Sequence, residues 1–187
     1  MENTVFNSPD EFDDISTIDE YHVSLGAGLS EEEAMDAARL YSRDNARTPM
    51  QWSAEYNAGF SEADPWLPVN PNYKLINVHE QAERQDSVFN FYRQLIALRK
   101  DPDYRETLVW GEFEPVYEER KGLMAYCRRA DRDLLILANL KSEPETIDVG
   151  CEYRVLLDNL NPSVTPEQTQ TCIKLQAWQG VVLELLQ

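Results

Sequence analysis

The spacing of apolar residues predicts a helix over residues 31–42. The small and apolar side chains that share one helical face are Ala34, Ala37, Ala38 and Tyr41. Ser30 and Glu33 form a capping-box pattern at the start, in which each side chain can accept a hydrogen bond from the other residue's backbone N–H. Pro49 prevents this helix from extending through the segment that follows.

A second amphipathic helix is predicted over residues 86–100, where Asp86 or Ser87 can cap the start and Pro102 ends the pattern. Its apolar positions form an unusually wide face: Val88, Phe89, Phe91, Tyr92, Leu95, Ile96 and Leu98. Residues 53–85 between the helices are expected to form a long irregular loop. Amphipathic helices must pack against another layer, and the first ~102 residues show no convincing set of strands.

Short apolar runs recur from Tyr104 onward at roughly ten-residue spacing, which predicts an antiparallel β-sandwich. The runs are TLVWGEFEPVY, LMAYCRR, DLLILANL, TIDVG, YRVLLDN, TCIKL and GVVLELL. Residues 119–122 and 130–133 are predicted hairpin tips. The predicted fold class is therefore α+β, with a helical domain over residues 1–102 and a β-sandwich over 103–187.

Charge and composition narrow the function classes. The 187 residues carry a formal net charge of −17, a field that repels phosphate, so we expect neither nucleic acid nor a membrane as partner. The chain has no run of ~18 apolar residues and no signal-peptide pattern at its start, which predicts a cytoplasmic protein. Cys127, Cys151 and Cys172 lack metal-site spacing and are expected to be core thiols. No cofactor is predicted.

The segment SRDNARTPMQW (residues 42–52), followed by AGFSEADPWLPVNPNYKLINV, resembles the C-terminal part of glycoside hydrolase family 13 α-glucosidases. The oligo-1,6-glucosidase and dextran glucosidase group is the most similar. The resemblance covers nearly the whole chain, and the order of these motifs is highly specific.

The resemblance implies a (β/α)8 barrel followed by an all-β C-terminal domain. Residues 1–84 would form the long connection after the eighth barrel strand, and residues 86–100 the eighth barrel helix. Residues 103–187 would form the C-terminal sandwich. The helices would then pack on a sheet encoded upstream of this sequence, which makes a missing N-terminal barrel half the expected partner.

The resemblance also implies retaining glycosidase chemistry, which needs two carboxyl groups about 5–5.5 Å apart. In this family both lie at the ends of barrel strands that precede the matching region. We therefore assign no catalytic residue in this chain and expect it to be inactive alone. An oligosaccharide would be a substrate only in the context of a complete barrel.

Two arginines are the predicted substrate-binding residues. In similar enzymes the first arginine of RDNAR reaches the sugar in the innermost subsite, and here that residue is Arg43. Arg47 would support the loop from behind. The alternative is that both arginines only tie down a loop by salt bridges. Asp44 and Asn45 are expected to shape the turn. Trp52 is expected to pack in a core, the alternative being that it lines a sugar-binding face.

An acidic cluster near the start of the chain is expected to be a solvated face rather than a calcium site, because it lacks EF-hand spacing. It comprises Asp10, Glu11, Asp13 and Asp14.

Two other functions remain open. The chain could be a non-catalytic carbohydrate-associated or folding module, or a fragment of a sucrose isomerase or trehalose synthase, which share related motifs. The PMQW form at residues 49–52 resembles the hydrolase group somewhat more.

Overall fold

A computed structural model describes residues 2–162 and 171–186. Its contacts divide the chain into two compact units, one ending at Glu83 and the other beginning at Arg84. The predicted α+β class is confirmed, because helices build the first unit and antiparallel sheets dominate the second. The predicted domain boundary between residues 102 and 103 concerns where a barrel would end, and it stays a prediction.

The described part of the first unit contains α1 (Ile15–Gly26), α2 (Glu31–Tyr41) and α3 (Val78–Glu83). A short 3-10 helix precedes α1 at Pro9–Glu11, and three more lie between α2 and α3, at Arg43–Ala46, Tyr56–Gly59 and Pro71–Lys74. The helix predicted over residues 31–42 is thus confirmed as α2, whereas α1 was not predicted. The expectation of an irregular loop over residues 53–85 is wrong where two of the 3-10 helices and α3 lie.

The capping box at the start of α2 forms as the sequence predicts. Ser30 Oγ accepts from the backbone N–H of Glu33 at 3.3 Å, and Glu33 Oε2 accepts from the backbone N–H of Ser30 at 2.9 Å. The buried cluster of this unit joins the N-terminal segment, α2 and the long loop through Phe6, Phe12, Met35, Ala38 and Leu67. This small core fixes the C-terminal end of α2, where the arginine segment begins.

The second unit begins with α4 (Val88–Lys100) and α5 (Arg105–Trp110). Ser87 caps α4 by accepting from the backbone N–H of Asn90 at 3.1 Å, so this predicted helix is also confirmed. No residue of α4 is buried, and Val88, Tyr92 and Ile96 are all more than half exposed. Part of its wide apolar face is therefore left exposed, whereas Phe91, Leu95 and Leu98 are half-buried. None of the described helices is long and apolar enough to cross a membrane.

Seven strands follow in the described residues: β1 (Glu112–Pro115), β2 (Leu123–Arg129), β3 (Leu134–Asn139), β4 (Glu145–Asp148), β5 (Tyr153–Asp158), β6 (Cys172–Leu175) and β7 (Gly180–Leu185). One sheet has the order β1-β2-β3-β7-β5, and β4 and β6 form a second, two-stranded sheet. Buried residues of both sheets share one core, which includes Leu137, Ile147, Leu175 and Leu183. The predicted sandwich is confirmed.

The first predicted strand is wrong over its first half, because residues 107–110 belong to α5. Gly111 ends this helix by donating its N–H to the carbonyls of Glu106 and Thr107, each at 3.1 Å. A Cβ at Gly111 would lie only 2.4 Å from the Thr107 carbonyl oxygen and 2.8 Å from that of Arg129. Glycine thus allows a tight turn from helix into β1.

The cysteine prediction holds only in part. Cys127 lies in the sandwich core, and burial raises the pKa of its thiol. Cys151 is half-buried, and Cys172 is exposed on β6. The expectation of three core thiols is therefore wrong for Cys172, because alternate positions of this short strand face solvent.

Candidate functional site

Ser42 joins the end of α2 to the 3-10 helix that carries the arginines. Its backbone N–H donates to the Ala38 carbonyl and so closes α2. Its Oγ accepts from the backbone N–H of Asp44 at 3.1 Å and lies 3.0 Å from Oγ1 of Thr17 on α1. A single buried serine therefore ends one helix, starts the next and holds both against the first turn of α1.

Arg43 forms a two-point contact with the carboxylate of Asp14. Its Nε donates to Asp14 Oδ2 at 3.1 Å, and its Nη2 donates to Asp14 Oδ1 at 2.5 Å. Nη2 also donates to Ser16 Oγ at 2.9 Å. Within residues 2–162 and 171–186, Nη1 has no hydrogen-bond partner, and the side chain is 62% exposed. The guanidinium is thus fixed in orientation and retains donors for another molecule.

Asp14 is the buried anchor of this pair, with a side chain only 4% exposed. It occupies the N-cap position of α1, yet its carboxylate does not cap the helix. It accepts instead from Arg43 and from Thr17 Oγ1, the latter at 2.9 Å. The hydrogen bonds from Arg43 are the main reason that the pKa of Asp14 falls from 3.8 to about 2. The pair therefore stays ionised at neutral and mildly acidic pH.

Asp44 braces the arginine segment from within. Its side chain is fully buried, and Oδ2 accepts from the backbone N–H groups of Asp13 and Asp14, both at 2.8 Å. Oδ1 accepts from Arg47 Nη1 at 3.1 Å, and the same nitrogen lies 3.8 Å from Asp14 Oδ1. Asp44 was expected only to shape the turn. It also joins two segments that lie 30 residues apart in the chain.

The structure thus brings together both predicted site residues. Each arginine pairs with a buried carboxylate, so the loop-bracing alternative describes contacts that exist for Arg43 and Arg47. Contact with a substrate stays a prediction for both. The expected solvated acidic face is wrong for Asp14, which is buried and paired. The available signal was the Asp-Ile-Ser-Thr order, in which Asp14 precedes Thr17 by the spacing of a helix start.

In the PMQW part of the motif, the side-chain amide of Gln51 lies in the interior and the indole of Trp52 does not. Gln51 is 2% exposed, and its Nε2 donates to the Ile76 carbonyl at 2.6 Å and to Asn72 Oδ1 at 2.8 Å. Trp52 is 51% exposed, so the expectation that it packs in a core is wrong for the described chain. The buried glutamine ties the arginine segment to the long loop, and the indole faces outward.

An open cleft of about 590 Å³ adjoins the arginine segment. The residues that line it are Asn3, Leu40, Ser42, Asn45, Ala46 and Met50. Asn45 Nδ2 donates to the Arg39 carbonyl, but Asn45 Oδ1 is buried without a hydrogen-bond partner in the described residues. Because this oxygen is buried, only Arg43 of these two residues offers unused and exposed hydrogen-bonding groups.

This arrangement is suited to binding and not to proton transfer. A general acid or base works best with a pKa near the operating pH, whereas Asp14 titrates near 2 and arginine stays charged. Fixed donors and acceptors of this kind recognise hydroxyl groups and carboxylates. Within the described residues, no group of three or more His, Cys, Asp or Glu side chains could hold a metal ion.

Comparison with known proteins shows to which family the chain belongs. The model of the α-amylase catalytic domain matches residues 13–111, more than half of the chain, and both Asp14 and Arg43 lie within the match. The chain belongs to the α-amylase family, glycoside hydrolase family 13. The resemblance stated from the sequence is therefore confirmed.

Individual relatives support the same assignment. The chain is 38% identical over 188 residues to a glucan 1,6-alpha-glucosidase of Streptococcus pneumoniae, covering 100% of this chain and 34% of that protein. It is 40% identical over 193 residues to an oligo-1,6-glucosidase of Parageobacillus thermoglucosidasius, covering 99% and 33%. A solved isomaltulose synthase of Klebsiella superposes with a TM-score of 0.87 at 32% identity, covering 98% and 33%. The chain thus spans about a third of the length of these relatives.

Proposed function

We propose that this chain supplies the arginine-bearing part of the sugar site of an α-glucosidase that removes terminal α-linked glucose from oligosaccharides. The single observation that carries the proposal is Arg43, held at two points by buried Asp14 with Nη1 unused and the side chain 62% exposed. A guanidinium fixed in this way can donate to two adjacent sugar hydroxyls without losing further rotamer freedom.

The catalytic carboxylates are proposed to lie in the two thirds of the relatives that this chain does not match. The described carboxylate that adjoins Arg43 titrates near 2 and accepts three hydrogen bonds, two from Arg43 and one from Thr17, so it is a poor nucleophile and a poor acid. We therefore expect no turnover from this chain alone. The uncovered apolar residues of α4 support the need for additional chain, because burying them stabilises a helix far more than its own propensity does.

A chimera tests the proposal directly. The part of the Parageobacillus oligo-1,6-glucosidase that matches this chain is replaced by this chain, and release of p-nitrophenol from an aryl α-glucoside is measured. We expect saturable turnover, because the fold and the arginine segment are shared. The same chimera carrying Arg105→Ala serves as the control for replacing an arginine by alanine, because Arg105 is an exposed residue of the second unit. A chimera that is folded by circular dichroism and monodisperse but inactive would contradict the proposal.

A sucrose isomerase fragment is the second candidate, because the superposition reaches a TM-score of 0.87 with the isomaltulose synthase. Higher identity to the two glucosidases, 38% and 40% against 32%, favours hydrolysis. The parallel chimera with the upstream part of the isomaltulose synthase separates the two. The kcat/KM of the isomaltulose synthase chimera for sucrose is compared with the kcat/KM of the glucosidase chimera for the aryl glucoside. A higher value for sucrose isomerisation would favour the isomerase.

A further inference from the structure

The turn before β7 presents an indole in a backbone conformation that tryptophan rarely adopts. Trp178 has a φ of +59° and is 61% exposed. Left-handed backbone is uncommon for bulky side chains, so something must hold it there. Trp178 contributes nothing to the sandwich core, and its exposure is not needed to form the turn, since glycine would adopt this φ with less strain.

Hydrogen bonds from neighbouring loops hold the Trp178 backbone in place. Its N–H donates to the Lys141 carbonyl at 3.3 Å, and its carbonyl accepts from Asn159 Nδ2 at 3.0 Å. Asn159 Oδ1 also accepts from the N–H of Gly180 at 2.8 Å. Three loops of the sandwich, at residues 139–141, 158–160 and 176–180, therefore meet at the backbone of this turn.

Two buried polar residues make the turn that carries Trp178 rigid. Asn139 is fully buried, donates through Nδ2 to the Gln176 carbonyl at 2.9 Å, and through its N–H to the Gln179 carbonyl at 2.8 Å. Gln179 is 8% exposed and donates to Asp158 Oδ2 at 2.7 Å, while its Oε1 accepts from the N–H of Gln176 at 2.7 Å. The turn is therefore fixed from beneath, and the indole stands on a rigid base.

We propose that Trp178 is a stacking platform for an α-linked glucan chain, a carbohydrate-binding site on the sandwich that is separate from the Arg43 site. An exposed flat ring with nearby polar groups suits the C–H face of a pyranose, whose hydroxyls need donors at the edge. Within the described residues, Asn159 Nδ2 donates to the Trp178 carbonyl and Lys141 Nζ donates to Glu145 Oε2, and each nitrogen has further N–H groups to offer. Nucleobases, the other common stacking ligands, are disfavoured by the net charge of −17.

The choice of an α-glucan rests on the proposed function, since the relatives named above are glucosidases. A platform of this kind would hold a polymer near the enzyme without contacting the scissile bond. Leu140 and Leu160 adjoin the anchoring residues and are 55% and 53% exposed, so the same end of the sandwich could instead receive another protein. The test below separates sugar from protein.

Native gel electrophoresis of the full chain measures binding at this site as retardation by dextran or glycogen dissolved in the gel. Hydroxyethyl cellulose is the control polymer. We expect retardation by at least one α-glucan, and Trp178→Gly to weaken it about five- to tenfold, the scale of a lost aromatic contact. Glycine suits the φ of +59°, so this variant keeps the fold. Trp178→Tyr should retain retardation, as should Trp110→Ala, which removes a 72% exposed tryptophan elsewhere in the unit.

Three results would overturn the platform: no retardation of the chain, equal retardation of Trp178→Gly, or polymer-independent self-association that Trp178→Gly abolishes. The last would assign the surface to protein docking. Failure here is distinguishable from failure of the proposed function, because the glucosidase chimera carrying Trp178→Gly should hydrolyse the small aryl glucoside at an unchanged rate.

Discussion

Arg43→Ala lowers the kcat/KM of the glucosidase chimera for an aryl α-glucoside by about 100-fold, the cost of losing a group that positions substrate. The guanidinium provides a fixed donor pair, and alanine removes both the donors and the tie to Asp14. Arg43→Lys restores only part of the activity, because an ammonium group cannot form the two-point contact. The measurement is steady-state kinetics on each purified chimera.

Comparing Asp14→Ala with Arg43→Ala distinguishes contact of Arg43 with the sugar from a role in holding the loop alone. If Arg43 only braces the loop, Asp14→Ala costs as much as Arg43→Ala, and the double variant is no worse than either. If Arg43 also touches the sugar, Arg43→Ala costs clearly more than Asp14→Ala. We expect the second result, since Nη1 of Arg43 is unused by the described chain. Equal losses in the two single variants would leave Arg43 with a structural role alone.

Glu184→Ala destabilises the second unit by about 3 kcal/mol, the low end of the cost of breaking a buried charge pair. Glu184 on β7 is 4% exposed and accepts from Arg154, from Arg132 Nη1 at 2.6 Å and from the Tyr104 hydroxyl at 3.1 Å. Burial alone would raise its pKa, but these hydrogen bonds, led by Arg154, lower it below the usual value. Alanine leaves two guanidinium groups and a buried hydroxyl without their shared acceptor.

Urea unfolding followed by far-ultraviolet circular dichroism measures this loss. Glu119→Ala is the matched control, because the Glu119 side chain is 76% exposed and its loss should cost at most about 0.5 kcal/mol. A Glu184→Ala midpoint equal to that of the control would show that the network adds nothing to stability. Since Tyr104 stands at the N-cap position of α5, loss of helical signal along with strand signal would show that the network joins α5 to the sheet.

Local rules predicted much of this fold. The capping box fixed the start of α2, and Ser87 with Pro102 bracketed α4 closely. Apolar runs located β2 to β7, because each of these strands places residues in or against the core of the sandwich, whereas all four residues of β1 are exposed. Residues 107–110 misled the strand prediction, since Thr107, Val109 and Trp110 are of types that favour strands. The backbone nevertheless continues as α5 until Gly111, whose N–H donates to the carbonyls of Glu106 and Thr107.

Only the arginines of the candidate site could be predicted from the sequence. Arg43 and Arg47 follow from the motif, but their partners depend on long-range packing. Asp14 lies 29 residues from Arg43 in the chain, and the helix-start spacing from Asp14 to Thr17 does not show that this carboxylate pairs with Arg43. Trp52 was misjudged for a related reason: an aromatic residue in a motif suggests a core anchor, yet the amide of Gln51 is the group that this fold buries.

The most direct test of the account is p-nitrophenol release from an aryl α-glucoside by the purified chain, measured beside the glucosidase chimera. The account predicts no release above buffer from the chain, and turnover from the chimera that Arg43→Ala lowers. Saturable turnover by the chain alone, lost on Arg43→Ala, would mean that it contains a complete catalytic site and would contradict the account.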